Sequence, residues 1–500
     1  MNLPASTQAA IAAHRFGLCE AQLEARVGRD ARDWLARQIG PAPLQLSSLP
    51  GEALPSAADG LRRHAEFVQQ RRQRREATAM AAAPGMGDSA QTTTEQQFGD
   101  HFRQLVLADT RARLSTAALT DRPFAERLAL FWANHFTVSM AKASTRGLVG
   151  AFEREAIRPH IAGRFEDLLR AAVTHPAMLR YLDNDQSAGP NSAVVRRLAQ
   201  RAQRANDGQA PRVTGLNENL AREVMELHTL GAAAARVGTY TQADVTAFAA
   251  VLTGWRLPAV AYITPTDGAP NTPRTPTASD ASPTRFEPAW HEPGDKRVLG
   301  KRYREGAPAL GEVLHDLAGH PATAQFIATK LARHFVADEP PPALVERLAQ
   351  TFLRSQGDLT QVYLSLIDSP EAWQAAPAKL KSPEEMVLSC VRVLGLGQLA
   401  FQRQPDAGIS TLGQRVQAAP SPAGWPDTAE EWLGPDAVWK RVEWVTRLAD
   451  RVGGQFDARA LAQASLGALL SVGTARQIER AADAPQALAL LLLAPEFQRR

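Results

Sequence analysis

Leu216-Asn-Glu-Asn-Leu-Ala-Arg-Glu-Val-Met-Glu-Leu-His-Thr-Leu-Gly231 combines three carboxylates, two amides, an arginine and a histidine with apolar residues at helical spacing. An α-helix turns by about 100° per residue, so residues three and four apart share a face. One narrow sector holds four polar residues: Asn219, Arg222, Glu223 and Glu226. A different sector holds three apolar residues: Leu220, Val224 and Leu227. The stretch therefore predicts an amphipathic helix over 217–230 that docks through its apolar sector and presents its polar sector.

The rest of the chain has the same helical character. It is rich in Ala, Leu and Arg, and it has few aromatic residues and few alternating β-branched runs. This composition predicts an all-α protein. A length of 500 residues exceeds one ordinary core, yet no linker divides the chain, so we predict one large multi-helix domain over 1–500. Long irregular Pro/Gly-rich insertions, expected to be mobile, are predicted at three places: residues 80–95, 186–213 and 258–290.

The charge of the chain does not require a nucleic-acid partner. The formal net charge is only +4 for 500 residues. The basic run Gln69-Gln-Arg-Arg-Gln-Arg-Arg-Glu76 has no interleaved aromatic residues on which bases could stack. A solvated surface helix is therefore favoured over nucleic-acid binding in this run.

Cysteine content and hydropathy indicate the cellular setting. Cys19 and Cys390 form neither a disulfide framework nor a metal-type Cys-x-x-Cys spacing. The apolar run Ala487-Leu-Ala-Leu-Leu-Leu-Leu-Ala494 is too short to span a bilayer and predicts a buried helix. The first residues lack a basic region followed by an apolar run, so no signal peptide is visible and a cytoplasmic location is expected.

A second polar pair lies within the aromatic stretch Phe131-Trp-Ala-Asn-His-Phe136. On a helix, His135 shares a face with Phe131 and Trp132, so its ring is expected to point inward. Two interpretations of His135 stay open, a hydrogen-bonded core histidine and a ligand at a site. Asn134 lies to one side, where it could orient a ligand or a substrate.

The carboxylates of the opening helix support a metal hypothesis. Glu223 and Glu226 are three residues apart on one face and could bind one hard divalent cation, with His135 and His291 completing its ligand shell. His291 opens the loop segment His291-Glu-Pro-Gly-Asp-Lys296. The ion would activate water or polarise a phosphoryl or carbonyl oxygen, which is a hydrolytic chemistry. Arg222 would hold an anionic substrate, and the predicted catalytic residues are Glu223, Glu226, Arg222 and Asn134.

A structural interpretation of the same residues competes with this hypothesis. Arg222 could neutralise Glu218 or Glu226, each four residues away along the helix. The cluster could then be a paired polar network that fixes the position of the helix without any chemistry. The sequence has no nucleophile elbow, phosphate loop, dinucleotide-binding fingerprint or His-Glu-x-x-His motif that would favour an enzyme.

Several segments together resemble a bacterial family, the domain of unknown function 1800 family. The segments that carry the resemblance are Phe131–Phe136, His175–Asp183, Asn217–Gly231, Leu252–Trp255, His291–Lys296, His320–Thr323 and Ala423–Pro426. They follow the family order over nearly the whole chain. The resemblance implies one long helical domain and implies little about activity. Two positions depart from the family pattern, because Glu292 stands in place of Asp and Val224 in place of Leu.

The resemblance also suggests a partner. Members are often encoded beside a second family, the domain of unknown function 1501 family, which resembles the alkaline phosphatase superfamily and is frequently exported. This implies an alternative function, in which the chain is a non-catalytic partner or maturation protein for a phosphatase-superfamily-like protein. It also implies a cell-envelope association, in contrast to the cytoplasmic location expected from the first residues.

Overall fold

Helices account for most of the chain in the computed structural model, which describes residues 3–44, 54–81, 94–204, 215–257 and 283–500. In this described part, strands occur only in two antiparallel sheets of two strands each. The predicted all-α class is therefore confirmed.

The helices form three groups along the described chain. The first group comprises α1 (Ala5–Ile11), α2 (Leu23–Val27), α3 (Ala31–Ala36), α4 (Ala57–Ala81), α5 (Thr94–Leu119), α6 (Pro123–His135), α7 (Val149–Phe152), α8 (Phe165–Thr174), α9 (Pro176–Tyr181) and α10 (Ala193–Arg204). The second comprises α11 (Asn219–Glu223), α12 (Ala232–Arg236), α13 (Gln242–Leu252), α14 (Pro308–Ala318), α15 (Pro321–Phe335), α16 (Pro342–Arg354) and α17 (Leu359–Asp368). The third comprises α18 (Pro383–Val393), α19 (Pro435–Val452), α20 (Ala458–Leu466), α21 (Val472–Glu479), α22 (Ala484–Leu493) and α23 (Pro495–Gln498).

The strands lie between α13 and α14. β1 (Trp255–Arg256) pairs with β2 (Arg285–Phe286), and Trp255 stands opposite Phe286. β3 (Lys296–Val298) pairs with β4 (Lys301–Tyr303) and packs against α13. The segment around His291 is therefore held between two small antiparallel sheets.

Three short segments have π-helical hydrogen bonding: Ala12–Phe16, Glu153–Ile157 and Val224–His228. Such turns are rare and occur frequently at functional sites. Each of these three brings a polar side chain into the interior: His14, Glu153 and His228. In the last segment the wider turn leaves Leu227 only partly buried, whereas Met225 and His228 are fully buried.

Local sequence signals explain where the helices near the candidate site begin. Ser382 and Glu385 form the capping box of α18, in which each side chain accepts a hydrogen bond from the other residue's backbone N–H. Pro383 occupies the first helical position, where its missing N–H costs nothing. At the start of α15, His320 Nδ1 accepts a hydrogen bond from the Ala322 N–H.

The apolar core has two large clusters, one in the N-terminal two thirds and one in the C-terminal helices, and a smaller apolar cluster in which α5 packs against α18. The larger cluster runs from Ala9 to Trp373 and includes the buried faces of α6, α8 and α13–α17. A second cluster joins α18–α23 with Cys19. Across the boundary, α18 and the loop of residues 414–428 approach α5, α6 and α15 with charged and amide side chains. This polar boundary contains a pocket.

The predicted insertions fall mainly outside the described residues, since nothing is described for 82–93, 205–214 and 258–282. Within the predicted segment 186–213, however, residues 193–204 form α10, which has no buried residue. That part of the segment is helical rather than irregular. No helix in the described part of the chain is long and apolar enough to cross a membrane.

Candidate functional site

A pocket of about 320 Å³ lies at the boundary between the two apolar clusters. This volume is within the range of small-molecule sites in proteins. Its walls come from α5, α6, the π-helical segment 153–157, α15, α18 and the loop 414–428. Apolar side chains from α6 and α7, among them Phe131 and Phe152, alternate with charged ones around the wall. We call it the Lys330 pocket, because Lys330 of α15 is among the residues that line it.

Asn134 joins α6 to the loop that closes the pocket. Its Nδ2 donates to the Trp425 carbonyl at 2.9 Å, and its Oδ1 accepts from the Trp425 N–H at 2.8 Å. Gly424 has a φ of +83°, and a Cβ there would lie 2.5 Å from the Asn134 carbonyl oxygen. The amide of Asn134 thus uses one donor and its oxygen to hold the loop. This arrangement assigns Asn134 to positioning rather than to contact with a ligand.

His135 lines the same pocket and is buried, as predicted, among Phe131, Trp132 and Phe136. Its Nε2 lies 3.1 Å from the His228 carbonyl oxygen. Because a carbonyl only accepts, Nε2 carries the proton and Nδ1 has a free lone pair. Nδ1 has no hydrogen-bond partner among the described residues. Burial, followed by the charge of Lys330, lowers the pKa of His135 well below 6.5, so the ring is neutral.

Most charged side chains around the pocket are paired. Glu385 bonds with Arg127 and with Arg500, whose side chains are almost fully buried. Burial alone would raise the pKa of Glu385, but the two guanidinium groups lower it to about 2. Arg113 bonds with Glu384 and lies 2.9 Å from Glu153. These pairs cross the boundary between the apolar clusters and hold α18 against α5 and α6.

His334 belongs to this paired network. Its Nδ1 lies 2.9 Å from Asp427 Oδ2, and the Nε–H of Arg127 points to its Nε2 at 3.4 Å. Since the arginine only donates, the ring is neutral with its proton on Nδ1. Burial is the main cause that lowers the pKa of His334 to about 4. Burial alone would raise the pKa of Asp427, but His334, Lys379 and Arg500 hold it well below 3.8.

Lys330 and Arg333, one turn apart on α15, are the exceptions among the charged residues that line the pocket. Within the described chain, Lys330 has no hydrogen-bond or ion-pair partner, and its Nζ lies 5.6 Å from the centre of the Phe326 ring. Arg333 donates from Nε to the Asp338 carbonyl at 3.0 Å and has no carboxylate partner in the described part. Burial lowers the pKa of Lys330 from 10.5 to about 8, and the charge of Arg333 adds to the effect. The pocket therefore contains two cations without counter-ions.

The helix predicted over 217–230 lies apart from this pocket, and none of its described residues lines the wall. Arg222 takes the structural role, because it pairs with Glu218 at 3.1 Å and with Gln242. Glu218 also accepts a hydrogen bond from Thr246 at 2.6 Å. These contacts attach the start of α11 to α13. We call Glu218, Glu223 and Glu226 together the carboxylate face.

Glu223 and Glu226 remain close enough to influence each other. Burial and then the charge of Glu226 raise the pKa of Glu223. Burial and then the charge of Glu223 raise the pKa of Tyr181 to about 12. Both glutamates are partly exposed. The carboxylate face is thus an acidic surface beside a tyrosine rather than the wall of a closed cavity.

His291 is engaged elsewhere. Its Nδ1 lies 2.8 Å from the Thr253 carbonyl, and its Nε2 lies 3.0 Å from Lys296 Nζ. Glu292 bonds with Asn191, at the end of the segment that leads into α10. These contacts fix the loop segment against the end of α13.

The four predicted metal ligands, Glu223, Glu226, His135 and His291, are not brought together as a ligand set. Across the described ranges, no group of three or more His, Cys, Asp or Glu side chains is arranged to hold a metal ion. His135 lies in the Lys330 pocket, His291 lies beside Thr253, and only Glu223 and Glu226 are neighbours. Glu223 and Glu226 therefore remain a predicted cation site without the two histidines.

The sequence analysis identified two residues of the pocket, Asn134 and His135, and missed Lys330, Arg333 and Asp427. A signal for the missed residues exists. Lys330-Leu-Ala-Arg-His334 places three basic side chains at spacings of three and four on an otherwise amphipathic helix. Asp427 directly follows the Ala423–Pro426 segment. What the sequence does not show is which of these charges lack a partner.

The fold and the pocket define a long helical protein with a polar cavity between two apolar cores. The chain matches the family described as Protein of unknown function (DUF1800) over residues 11–499, nearly its whole length. It belongs to that family, which confirms the resemblance. No curated protein and no solved structure shows significant similarity to the chain.

Proposed function

We propose that the Lys330 pocket binds a small anionic molecule through Lys330 and Arg333. The observation that carries this proposal is the contrast in pairing. Each other charged residue on the wall has an oppositely charged partner, whereas these two cations have none among the described residues. Both side chains are partly buried, and a partly buried charge without a partner is destabilising, so a bound carboxylate or phosphate would reduce that cost.

The shape of the pocket supports the same conclusion. Phe131, Phe152 and Val149 supply apolar wall, while Lys330 and Arg333 stand on one side of the cavity. An anionic group would bond with the guanidinium in the bidentate geometry that arginine favours. The rest of a small ligand would contact the apolar wall. The proposed ligand is therefore small and amphipathic, with one anionic end.

Thermal unfolding with small carboxylates and inorganic phosphate tests the proposal. A ligand at about 100 times its dissociation constant would stabilise the folded protein by about 2.7 kcal/mol. We expect Arg333→Met to remove this stabilisation. Arg354→Met is the matched control, since Arg354 is an exposed arginine at the end of α16. If no anion raises the unfolding temperature, or if both variants respond alike, the proposal is wrong.

The hypotheses from the sequence lead to two further experiments. A hydrolytic site on helix 217–230 is supported by the effect of the Glu226 charge on the pKa of Glu223, and calorimetric titration with divalent cations, compared with Glu223→Gln, tests it. The alternative, a non-catalytic partner of a phosphatase-superfamily-like protein, is tested by co-purification with such a protein encoded nearby. Absence of cation binding would end the first hypothesis, and absence of association would end the second.

A further inference from the structure

Lys330 has the surroundings that make a lysine amine reactive. Its side chain is partly buried in a pocket with apolar walls, and Arg333 lies one turn away on the same helix. Desolvation and a neighbouring cation both favour the neutral amine, and together they are the usual means of activating a lysine nucleophile. A lysine with a pKa of about 8 has roughly 300 times more neutral amine at pH 7 than one with a pKa of 10.5.

A pairing role does not account for this lysine. Asp427 is the acid whose charge acts on Lys330, but Asp427 is already bonded to His334 and lies within ion-pair distance of Lys379 and Arg500. The ammonium of Lys379, in contrast, is fully buried and pairs with Asp338 and Asp427. Lys330 therefore lines the cavity with an amine that has no hydrogen-bond or ion-pair partner among the described residues.

We propose that the Lys330 amine forms an imine with the carbonyl carbon of a small oxo acid whose carboxylate is held by Arg333. The inference rests on the proposed anion binding and narrows the ligand to an acid that also carries an aldehyde or ketone. Arg333 supplies the fixed charge for the carboxylate, so Lys330 is available for the covalent step.

The step needs no oxidant or reductant. The nitrogen lone pair attacks the carbonyl carbon, and the carbonyl π electrons move to oxygen. A proton then passes from nitrogen to that oxygen, which gives a carbinolamine. The C–O bond then breaks, the remaining proton on nitrogen leaves with the hydroxide as water, and the freed nitrogen electron pair forms the C=N bond between the ligand carbon and Nζ. One water is released for each imine, so all atoms are accounted for.

His135 is placed to accept a hydrogen bond during the reaction. It lines the same pocket, its ring is neutral, and its Nδ1 lone pair has no partner among the described residues. The Lys330 ammonium loses its proton to water before it attacks, because the pKa of His135 is too low for that ring to take it. The free Nδ1 lone pair can instead accept a hydrogen bond from an N–H or O–H group of the reaction in the pocket.

Trapping with glyoxylate and sodium cyanoborohydride, followed by peptide mass mapping, tests the inference on the full chain. Reduction of the imine leaves a carboxymethyl group on the lysine that formed it. We expect Lys330 to be modified at least about tenfold faster than Lys301 and Lys440, which are exposed, because its neutral amine is more abundant. Excess glycolate, which has the carboxylate but no carbonyl, is expected to slow modification of Lys330 and not of the two exposed lysines.

The outcomes separate this inference from the proposed function. Modification of Lys330 no faster than that of Lys301 overturns the inference without any variant. If glycolate and glyoxylate both stabilise the protein but Lys330 stays unmodified, anion binding stands and the imine is wrong. Fast modification that glycolate does not slow overturns the oxo-acid ligand and the anion proposal together. Lys330→Arg keeps the charge and is expected to lose the modification at this position alone.

Discussion

The carboxylate face and the Lys330 pocket differ in the charges they carry and in whether those charges have partners. The carboxylate face displays three acids within one short stretch, yet Glu218 is fully bonded to Arg222, Gln242 and Thr246. The Lys330 pocket draws its charges from several stretches that are far apart in the sequence. Its two cations, however, lack partners among the described residues. Density of charge along the sequence is therefore a poorer guide to a site than absence of a counter-ion within a cavity.

The physical reason lies in solvation. The acids of the carboxylate face are partly exposed, so water and neighbouring polar groups solvate them at little cost. Lys330 is also partly buried, but in the described chain it has no hydrogen-bond or ion-pair partner, and burial lowers its pKa to about 8. A group in that state gains most from a ligand of opposite charge. If this difference holds, changes to charged residues around the pocket should alter stability more than changes on the carboxylate face.

Glu385→Gln is expected to have the largest effect. The neutral amide would leave Arg127 and Arg500 almost fully buried without a negative partner. Breaking a buried pair in this way costs about 3–5 kcal/mol of the free energy of unfolding. Urea denaturation at pH 7 measures the loss, with Glu218→Gln on the carboxylate face as the matched control. The control should lose less than about 1 kcal/mol, and equal losses would show that the two regions do not differ.

The same carboxylate predicts a dependence on pH. The pKa of Glu385 is lowered from 4.5 to about 2 in the folded protein, so its ionised form is favoured by folding. Its contribution to stability is present above the pKa of the unfolded chain and is lost as the pH falls from about 4.5 towards 2. The wild-type protein should therefore lose stability in this window more steeply than Glu385→Gln.

Asn134→Ala tests the positioning role of a residue that the sequence analysis placed among the catalytic ones. Removing the two hydrogen bonds to Trp425 should cost about 1–3 kcal/mol and weaken anion binding by displacing the loop. Gly424→Ala should have a similar effect, because its Cβ would overlap the Asn134 carbonyl. Both changes disturb the same contact between Asn134 and the loop. The double variant should therefore lose less free energy of unfolding than the sum of the two single losses. If the two losses in the free energy of unfolding were fully additive, Asn134 and Gly424 would not act on the same contact, and the positioning role of Asn134 would be contradicted.

The helical class, the helix starts and two pocket residues could be predicted from the sequence because they depend on local spacing. The capping box of Ser382 and Glu385 requires only a separation of three residues. The pocket joins residues that are far apart, since 291 positions separate Asn134 from Trp425 and 258 separate Arg127 from Glu385. Which arginines meet which glutamates depends on tertiary packing. An unpaired charge can be recognised only after that packing is known.

The π-helical turn Val224–His228 could not be predicted from the sequence, and it changes which residues of the helix predicted over 217–230 are buried. A constant turn of about 100° per residue places Leu227 on the docking side. The wider turn instead buries Met225 and His228, and the His228 ring centre lies 5.0 Å from that of Phe136. The amphipathic character was therefore predicted correctly and the last turn was not. No local signal in the stretch indicates the change of hydrogen bonding.

Lys330→Met is expected to stabilise the unliganded protein by about 1–2 kcal/mol at pH 7, because it removes a desolvated cation and keeps the length of the side chain. A gain in stability is expected because the lowered pKa of Lys330 means that folding disfavours its charged form. Between about 8 and 10.5 the unfolded chain holds a proton that the folded protein has lost, so wild-type stability rises with pH in that range. The gain from Lys330→Met should shrink correspondingly. A variant that is less stable than the wild type at pH 7 would mean that Lys330 has a stabilising partner.

Glu223→Gln is expected to have the smallest effect, a gain or loss within about 0.5 kcal/mol at pH 7. Burial and Glu226 raise the pKa of Glu223, so the ionised form carries a small cost that the amide removes. This cost is absent below the ordinary pKa of 4.5, where both states are protonated, and is complete above the folded pKa. The variant and the wild type should therefore converge in stability as the pH falls. The opposite result would be a large loss in the free energy of unfolding of Glu223→Gln at pH 7, together with divalent cations that stabilise only the wild type. The carboxylate face, and not the Lys330 pocket, would then be the functional region.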